Sequence, residues 1–273
     1  MIPFVKYQGA GNDFVLIDQR RHKWIKAGDK HLVARLCNRR FGIGADGLIL
    51  LQNCPDTDFE MVYFNADGGL STFCGNGGRC VAAFAASLGI VGEKARFRAA
   101  DGLHEAEISG EGEGAGMRVR LSMRNLNQWE RDGDAWILDT GSPHYVRFAP
   151  QIADIDLSRE GAAVRYAEPY ARSGGINVNF VCETGPNTIA IRTYERGVEA
   201  ETLACGTGVT AAALAYALRS DVYGDFRIAV SARGGALAVA FRRNASGFEQ
   251  VWLEGPAVRV FEGTIAAGGR IDN

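Results

Sequence analysis

Two cysteines stand in matching surroundings 131 residues apart. Cys74 opens Cys74-Gly75-Asn76-Gly77, Cys205 opens Cys205-Gly206-Thr207-Gly208, and each is followed by an alanine-rich run. A thiol at the entrance of a helix has its thiolate stabilised by the partial positive charge there. Glycines in the first turn let a ligand approach the backbone, and the unpaired N–H groups of that turn can hold a carboxylate. Each segment thus offers a base beside an anion site. Two such thiols on opposite sides of one carbon would perform a symmetric reaction, one removing a proton and the other returning a proton to the opposite face. That reaction is racemisation or epimerisation at an amino-acid α-carbon, with the enolate-like charge developing on the bound carboxylate. One base alone would put the proton back where it came from.

The elements that must position these thiols can be read from the pattern. Aligning Cys74 on Cys205 matches Gly75 with Gly206, Gly77 with Gly208, Ala82 with Ala213 and Ala86 with Ala217. Each copy follows an extended run ending in an aromatic residue, Phe64 or Tyr194. This argues for an internal duplication. Val15–Ile17, Leu48–Leu51, Phe59–Phe64, Ala95–Ala99, His104–Ile108 and Met117–Leu121 read as strands in the first half. Trp136–Leu138, Tyr145–Phe148, Asn179–Val181, Thr188–Thr193, Phe226–Val230, Leu237–Phe241 and Gln250–Leu253 read as strands in the second. Helices are expected only over Lys30–Asn38 and the two alanine runs. Strands outnumber helices, so the fold class is α+β rather than a doubly wound parallel sheet. Glycines near 110–116 and 133 and the charged run Glu130–Asp134 set a boundary near residue 126.

The 273-residue chain has a formal net charge of -2 and no basic run, which excludes a nucleic-acid or anionic-membrane partner as the expectation. The N-terminal stretch is not a signal peptide, and no apolar run is long enough for a membrane helix, so a cytoplasmic protein is expected. Six cysteines are too few for a disulfide scaffold, none lie in Cys-x-x-Cys, and no zinc spacing is evident. No nucleotide-binding loop or metal spacing is seen, so no cofactor is expected. Cys37, Cys54, Cys80 and Cys182 are taken as buried, inert thiols.

Taken together, the motifs resemble one family along nearly the whole chain. They are Lys6-Tyr7-Gln8-Gly9-Ala10-Gly11-Asn12-Asp13-Phe14, Arg40-Phe41-Gly42-Ile43-Gly44-Ala45-Asp46-Gly47, Phe64-Asn65-Ala66-Asp67-Gly68, the Cys74 and Cys205 segments, Gly141-Ser142-Pro143-His144 and Glu195-Arg196-Gly197. In this order the chain resembles the diaminopimelate epimerases, cofactor-independent enzymes that interconvert LL- and meso-diaminopimelate for lysine and peptidoglycan synthesis. The resemblance implies two pseudo-symmetric mixed β domains, each wrapped round a central helix, with the active site in the cleft between them. It implies halves spanning 1–126 and 127–261, a tail of 262–273 returning to the first half, and a homodimer acting on a small amino acid. By motif, Cys74 and Cys205 are the acid–base pair. Gly75, Asn76, Gly206 and Thr207 cradle the reacting carboxylate, and Asn12, Asn65, Asn177, Glu195 and Arg196 hold the rest of the substrate. His144 supports the site. Three positions depart from the family pattern: Gly47 replaces a substrate-contacting glutamine, Ser142 replaces an asparagine, and the loop before Cys205 is one residue longer. The rival readings are a proline or hydroxyproline racemase, a carboxylate-binding module without catalysis, and thiol–disulfide exchange.

Overall fold

In the computed structural model, which describes residues 1–71, 73–112 and 116–266, the apolar runs become strands and the alanine-rich runs become the most buried helices. Two compact units form, Met1–Leu121 with the chain from Pro256 onward, and Ser122–Gly255.

In the first unit, β1 (Ile2–Gly9) lies antiparallel to β2 (Asn12–Asp18), and helix α1 (Lys30–Cys37) crosses over to β3 (Gly47–Gln52), parallel to β2. Antiparallel β4 (Phe59–Asn65) follows, with the two-residue β5 (Leu70–Ser71) beside it. Helix α2 (Gly75–Ser87) then leads to β6 (Lys94–Ala99), parallel to β4, and β7 (Gly102–Gly112) and β8 (Gly116–Ser122) continue antiparallel.

The second unit starts with β9 (Glu130–Asp132) and then repeats that order of pairing directions. Here β10 (Ala135–Asp139) is antiparallel to β11 (Pro143–Phe148), and α3 (Leu157–Arg165) crosses to β12 (Asn177–Gly185), parallel to β11. Antiparallel β13 (Thr188–Glu195) carries the short β14 (Ala200–Thr202) at its side. Helix α4 (Gly206–Leu218) leads to β15 (Gly224–Ala232), parallel to β13, then to antiparallel β16 (Gly235–Asn244) and β17 (Gly247–Ile265). The fold is α+β and duplicated: α2 and α4 each span 13 residues, from Gly75 and Gly206.

These two helices are central because nearly every face of each is covered. Gly75 through Ala85 are all buried in α2, and in α4 every residue from Val209 to Ala215 is buried. A helix apolar all round is stable only when covered all round. Small residues do the packing. A β-carbon on Gly77 would lie 3.0 Å from Ile49 Cδ1, and one on Gly78 would lie 2.8 Å from the Phe73 ring.

Strand β1 and helix α3 are absent from the sequence-based expectations. Lys6 interrupts the apolar pattern of β1, yet it is 5% exposed, its ammonium 2.8 Å from Asp13 and donating to Gly44 O. In α3, Gly161 reads as a breaker, but a β-carbon there would lie 2.5 Å from Tyr194 Cβ, so close packing demands glycine. The units divide at 121/122 and 255/256, not at 126 and 261. Met123 N–H donates to Val251 O and Leu126 bridges Phe248, which holds residues 123–126 in the second unit. Strand β17 enters the first unit at Pro256, and Val258 to Ile265 pair with β1. Residues 267–273 of the expected returning tail lie outside the described residues. Cys54 and Cys182 are half-buried rather than buried: Cys54 lies just past the end of β3, and Cys182, on β12, donates from Sγ to Pro150 O at 3.0 Å.

Asp13 ties β2 to the loop after α1. Its carboxylate accepts from both Arg39 terminal nitrogens, at 2.7 and 2.9 Å, and pairs with Lys6. Partial burial would raise its pKa, but these cationic hydrogen bonds prevail and hold it at about 2, below the usual 3.8. The unfolded chain therefore binds more protons between those values, and stability falls as pH drops through that window. Replacing Asp13 by Asn should abolish this acid-dependent component and lower the melting temperature near neutrality by several degrees, since Lys6 is left buried without its anion. Thermal melts between pH 2 and pH 7 check this. An unchanged melting temperature would contradict the assigned role.

Candidate active site

Both cysteines occupy the N-cap of their helix in extended backbone, Cys74 at φ −138° and ψ 117°, Cys205 at φ −110° and ψ 113°. The first helical bonds run from Gly78 N–H to Cys74 O at 2.7 Å and from Val209 N–H to Cys205 O at 2.8 Å. The N–H groups of Gly75, Asn76 and Gly77, and those of Gly206, Thr207 and Gly208, therefore have no acceptor within their own helices. Cys74 is half-buried and Cys205 is buried. Each unit thus builds a thiol beside a cluster of outward-directed backbone donors, where negative charge is favoured.

In the first unit the donors are framed by an amide chain. Asn76 Nδ2 donates to Asn12 Oδ1 at 2.5 Å, and Asn12 Nδ2 donates to Asp46 Oδ2 at 3.0 Å. Asp46 is itself held by Arg39 at 2.8 Å. Asn65 is exposed at the end of β4, paired across the ladder with Gly47. No side chain fits at 47: a β-carbon would lie 2.5 Å from the Tyr63 ring and 3.1 Å from its hydroxyl. The Tyr63 ring occupies the space that a side chain at 47 would take.

In the second unit the partners decide which proton sits where. Asn179 Nδ2 donates to Tyr145 O at 3.0 Å, which fixes its amide orientation, and its Oδ1 accepts from Thr193 Oγ1 at 3.0 Å. The same amide nitrogen faces His144 Nδ1 at 3.2 Å, so Nδ1 must be the acceptor. His144 is fully buried, and desolvation, reinforced by the Arg196 charge, pushes it down to about 3. A neutral imidazole accepting at Nδ1 carries its proton on Nε2. Nε2–H therefore donates to Thr207 Oγ1, 2.9 Å away. The Thr207 hydroxyl proton is left for Cys205 Sγ at 3.4 Å. Thr140 Oγ1 donates to Thr207 O at 2.8 Å and completes the setting. Gly208 must be glycine, since a β-carbon would lie 2.6 Å from Asn179 Oδ1.

A second cluster in this unit gathers Asn177, Ser142 and Arg196. Asn177 Nδ2 donates to Ser142 Oγ at 2.8 Å, Asn177 Oδ1 accepts from Arg196 N–H at 2.9 Å, and Arg196 Nη2 donates to Ser142 Oγ at 3.2 Å. Ser142 thus keeps its place in the constellation despite replacing asparagine. The longer loop turns through Gly197 at φ 90° and Glu199 at φ 58°, and Glu199 is held by Arg165 at 3.1 Å and Tyr166 Oη at 2.9 Å. Glu195 ends β13 at the start of this loop, half-buried. Burial pushes the Cys37 and Cys80 thiols each up to about 12, which keeps them protonated.

The structure brings Asn12 and Asn76 together in one unit; in the other it joins His144 and Thr207 to Cys205 and gathers Asn177 with Arg196, while Asn65 and Glu195 stand at strand ends. Ser142, Asn179, Thr140 and Arg79 are polar neighbours that the sequence reading did not assign. Asn179 had a signal: it lies two residues from Asn177 on one strand, hence on the same face.

The diaminopimelate epimerase family model matches residues 4–124 and 136–260, one match in each half. A diaminopimelate epimerase from Flavobacterium psychrophilum is 48% identical over 260 residues, covering 95% of this chain and 98% of its own length. Among solved structures, a Bacillus anthracis phenazine biosynthesis protein of the PhzF family superposes with a TM-score of 0.72 at 13% identity, covering 97% of this chain and 99% of its own. A probable proline racemase from Agrobacterium radiobacter superposes at 0.69 with 16% identity, covering 100% and 95%. These two share the fold.

The proton assignment in the second unit is directly observable. His144 should remain neutral, with its proton on Nε2, from pH 8 down to pH 4, as read by imidazole nitrogen shifts in labelled protein. Titration near the ordinary 6.5, or a proton on Nδ1, would contradict the Asn179–His144–Thr207 order.

Proposed function

Because the chain belongs to the diaminopimelate epimerase family, we infer that it is an isomerase that inverts one α-carbon of 2,6-diaminopimelate, interconverting the LL and meso isomers. Cys74 and Cys205 are proposed as the two bases. The observation that carries this reading is the repetition, in both halves, of a cysteine at the N-cap of a buried helix.

In this mechanism the thiolate on one face of the α-carbon takes its proton, and the thiol on the other face gives up its own. The C–H electron pair passes into the carboxylate as the first proton leaves and returns to carbon as the second arrives. The enzyme finishes with thiol and thiolate exchanged, and the opposite isomer is then the substrate of that form. The N–H groups of the two first turns suit the carboxylate whose charge rises in the transition state, where pre-oriented donors act most strongly. Arg196, with Asn177 and Ser142, is proposed to receive the distal amino-acid end, its planar fork fitting a carboxylate. Asn12, Asn65, Asn76, Gly75, Gly206, Thr207 and Glu195 complete the substrate contacts, and His144 acts through Thr207. No cofactor is invoked, because the chain supplies both bases. The proposal includes a cytoplasmic homodimer serving lysine and peptidoglycan precursor synthesis, which rests on the family likeness alone.

A proline-type racemase shares the fold, but a small ring has no distal carboxylate for Arg196. Purified protein incubated with diaminopimelate or proline in deuterated water, followed by NMR, should invert the first and leave the second untouched. Cys74→Ala and Cys205→Ala should each lose inversion by at least about 10²-fold, the lower end of what a positioned acid–base group contributes. Each should still exchange the α-proton of one isomer with retention, and the two variants should prefer opposite isomers. A single variant inverting at near wild-type rate, or proline turnover matching diaminopimelate, would overturn the reading.

A further inference from the structure

The loop between β13 and β14 keeps a glutamate in a conformation that suits glycine. Glu195 pairs with Ala200 across the ladder, so Arg196, Gly197, Val198 and Glu199 make the loop. Glu195 O accepts from Val198 N–H at 3.3 Å and from Glu199 N–H at 2.8 Å. Glu199 closes the turn in the left-handed region at φ 58°. A β-carbon makes that region unfavourable, and a residue held there against its preference points to a constraint elsewhere.

The constraint is on its carboxylate. Oε1 accepts from Arg165 Nη2 at 3.1 Å and from Gly197 N–H at 3.0 Å. Oε2 accepts from Tyr166 Oη at 2.9 Å and from Tyr194 Oη at 3.4 Å. These donors, the Gly197 N–H foremost, hold the carboxyl below its usual range. An ordinary surface ion pair contributes little because both partners are loose in water. Here the Arg165 side chain is only 13% exposed, at the last turn of α3, and both carboxylate oxygens are engaged.

Arg165 reaches further. Its guanidinium occupies the place of a side chain at Gly175, where a β-carbon would lie 1.5 Å from Nη1 and 2.1 Å from Cζ. The Gly175 carbonyl accepts from Arg196 Nη1 at 3.4 Å, and Ser142 Oγ accepts from Arg196 Nη2 at 3.2 Å. The contacts close a ring: Arg196 to Gly175, Gly175 to Arg165, Arg165 to Glu199, and Glu199 back along the loop to Arg196.

We propose that Glu199 is a positioning residue that sets the Arg196 fork, through Arg165 and the loop backbone, to receive the distal carboxylate of the substrate. The inference rests on the reading of Arg196 as the ligand of that carboxylate. It gives the longer loop a role: Gly197, Val198 and Glu199 are exposed, and the clamp on α3 keeps the residue beside them in one place. Selectivity for a substrate with an amino-acid group at both ends then depends on a side chain that acts only through Arg196.

The test is a double-mutant cycle read as KM and kcat for diaminopimelate, with the intact protein. Glu199→Gly suits the native backbone at φ 58° and removes the clamp alone. It should raise KM at least about fivefold and leave kcat within about twofold, the pattern of lost binding shared by ground and transition states. Glu199→Gln, which keeps the length of the side chain but not its charge, should recover part of the loss. Arg196→Met should raise KM by more than Glu199→Gly does. The variant carrying both Arg196→Met and Glu199→Gly should match Arg196→Met within about twofold, because a residue that acts through another adds nothing once that one is gone. A wild-type KM in Glu199→Gly, a fall in its kcat with KM unchanged, or a double variant whose loss is the product of the two single losses would overturn the proposal while leaving the reading of Arg196 intact. A wild-type KM in Arg196→Met, or a wild-type protein that does not turn over diaminopimelate, would overturn that reading itself and this proposal with it.

Discussion

Everything at this site depends on holding a thiol at the mouth of a helix that cannot move. The two helices achieve this by being covered on nearly every face: α4 is alanine, valine, threonine and leucine nearly throughout, and α2 is buried from Gly75 to Ala85. Covering such a helix on every side requires strands all round it, and each unit supplies them in the same order of parallel and antiparallel pairings. The glycines at the helix starts then have two jobs. They allow close packing, as Gly208 does against Asn179, and they place no side chain over the backbone of the first turn.

Duplication gives two copies of a thiol at a helix N-cap, but the surroundings of the two copies have diverged. In the second unit a chain of neutral groups runs from Asn179 through His144 and Thr207 to Cys205, each proton placed by the group before it. The start of that chain is the Tyr145 carbonyl, which can only accept and so orients the Asn179 amide. In the first unit Arg79 is fully buried with neither terminal nitrogen meeting a protein acceptor among the described residues, and an amide chain through Asn76 and Asn12 ends on Asp46. That difference is invisible in the matched glycines and alanines.

Much of this could be read from residue order. The repeated Cys-Gly-x-Gly segments located both central helices, period-two alternation located β4, and short apolar runs located β2 and β3. What escaped was held by long-range interactions. Strand β1 hides a buried ion pair, Lys6 with Asp13, and α3 hides a glycine pressed against Tyr194. The unit boundary escaped because Leu126 pairs with Phe248, a contact between residues far apart in the chain. Within the candidate site, motif matching found Asn177 and His144. The tautomer of His144 needed the Tyr145 carbonyl, and the place of Ser142 needed Arg196 and Asn177 around it. Gly47 reads as a missing side chain in the sequence, whereas in the fold the Tyr63 ring occupies that space.

The central claim is that one thiol removes the proton and a different thiol supplies its replacement. The most direct measurement incubates wild-type protein with a single diaminopimelate isomer in deuterated water and analyses both isomers at a few per cent conversion. Two bases predict deuterium at the inverted centre of essentially every product molecule, while recovered substrate still carries its original proton. Product retaining the substrate-derived proton, or substrate acquiring deuterium faster than it inverts, would contradict the two-thiol account.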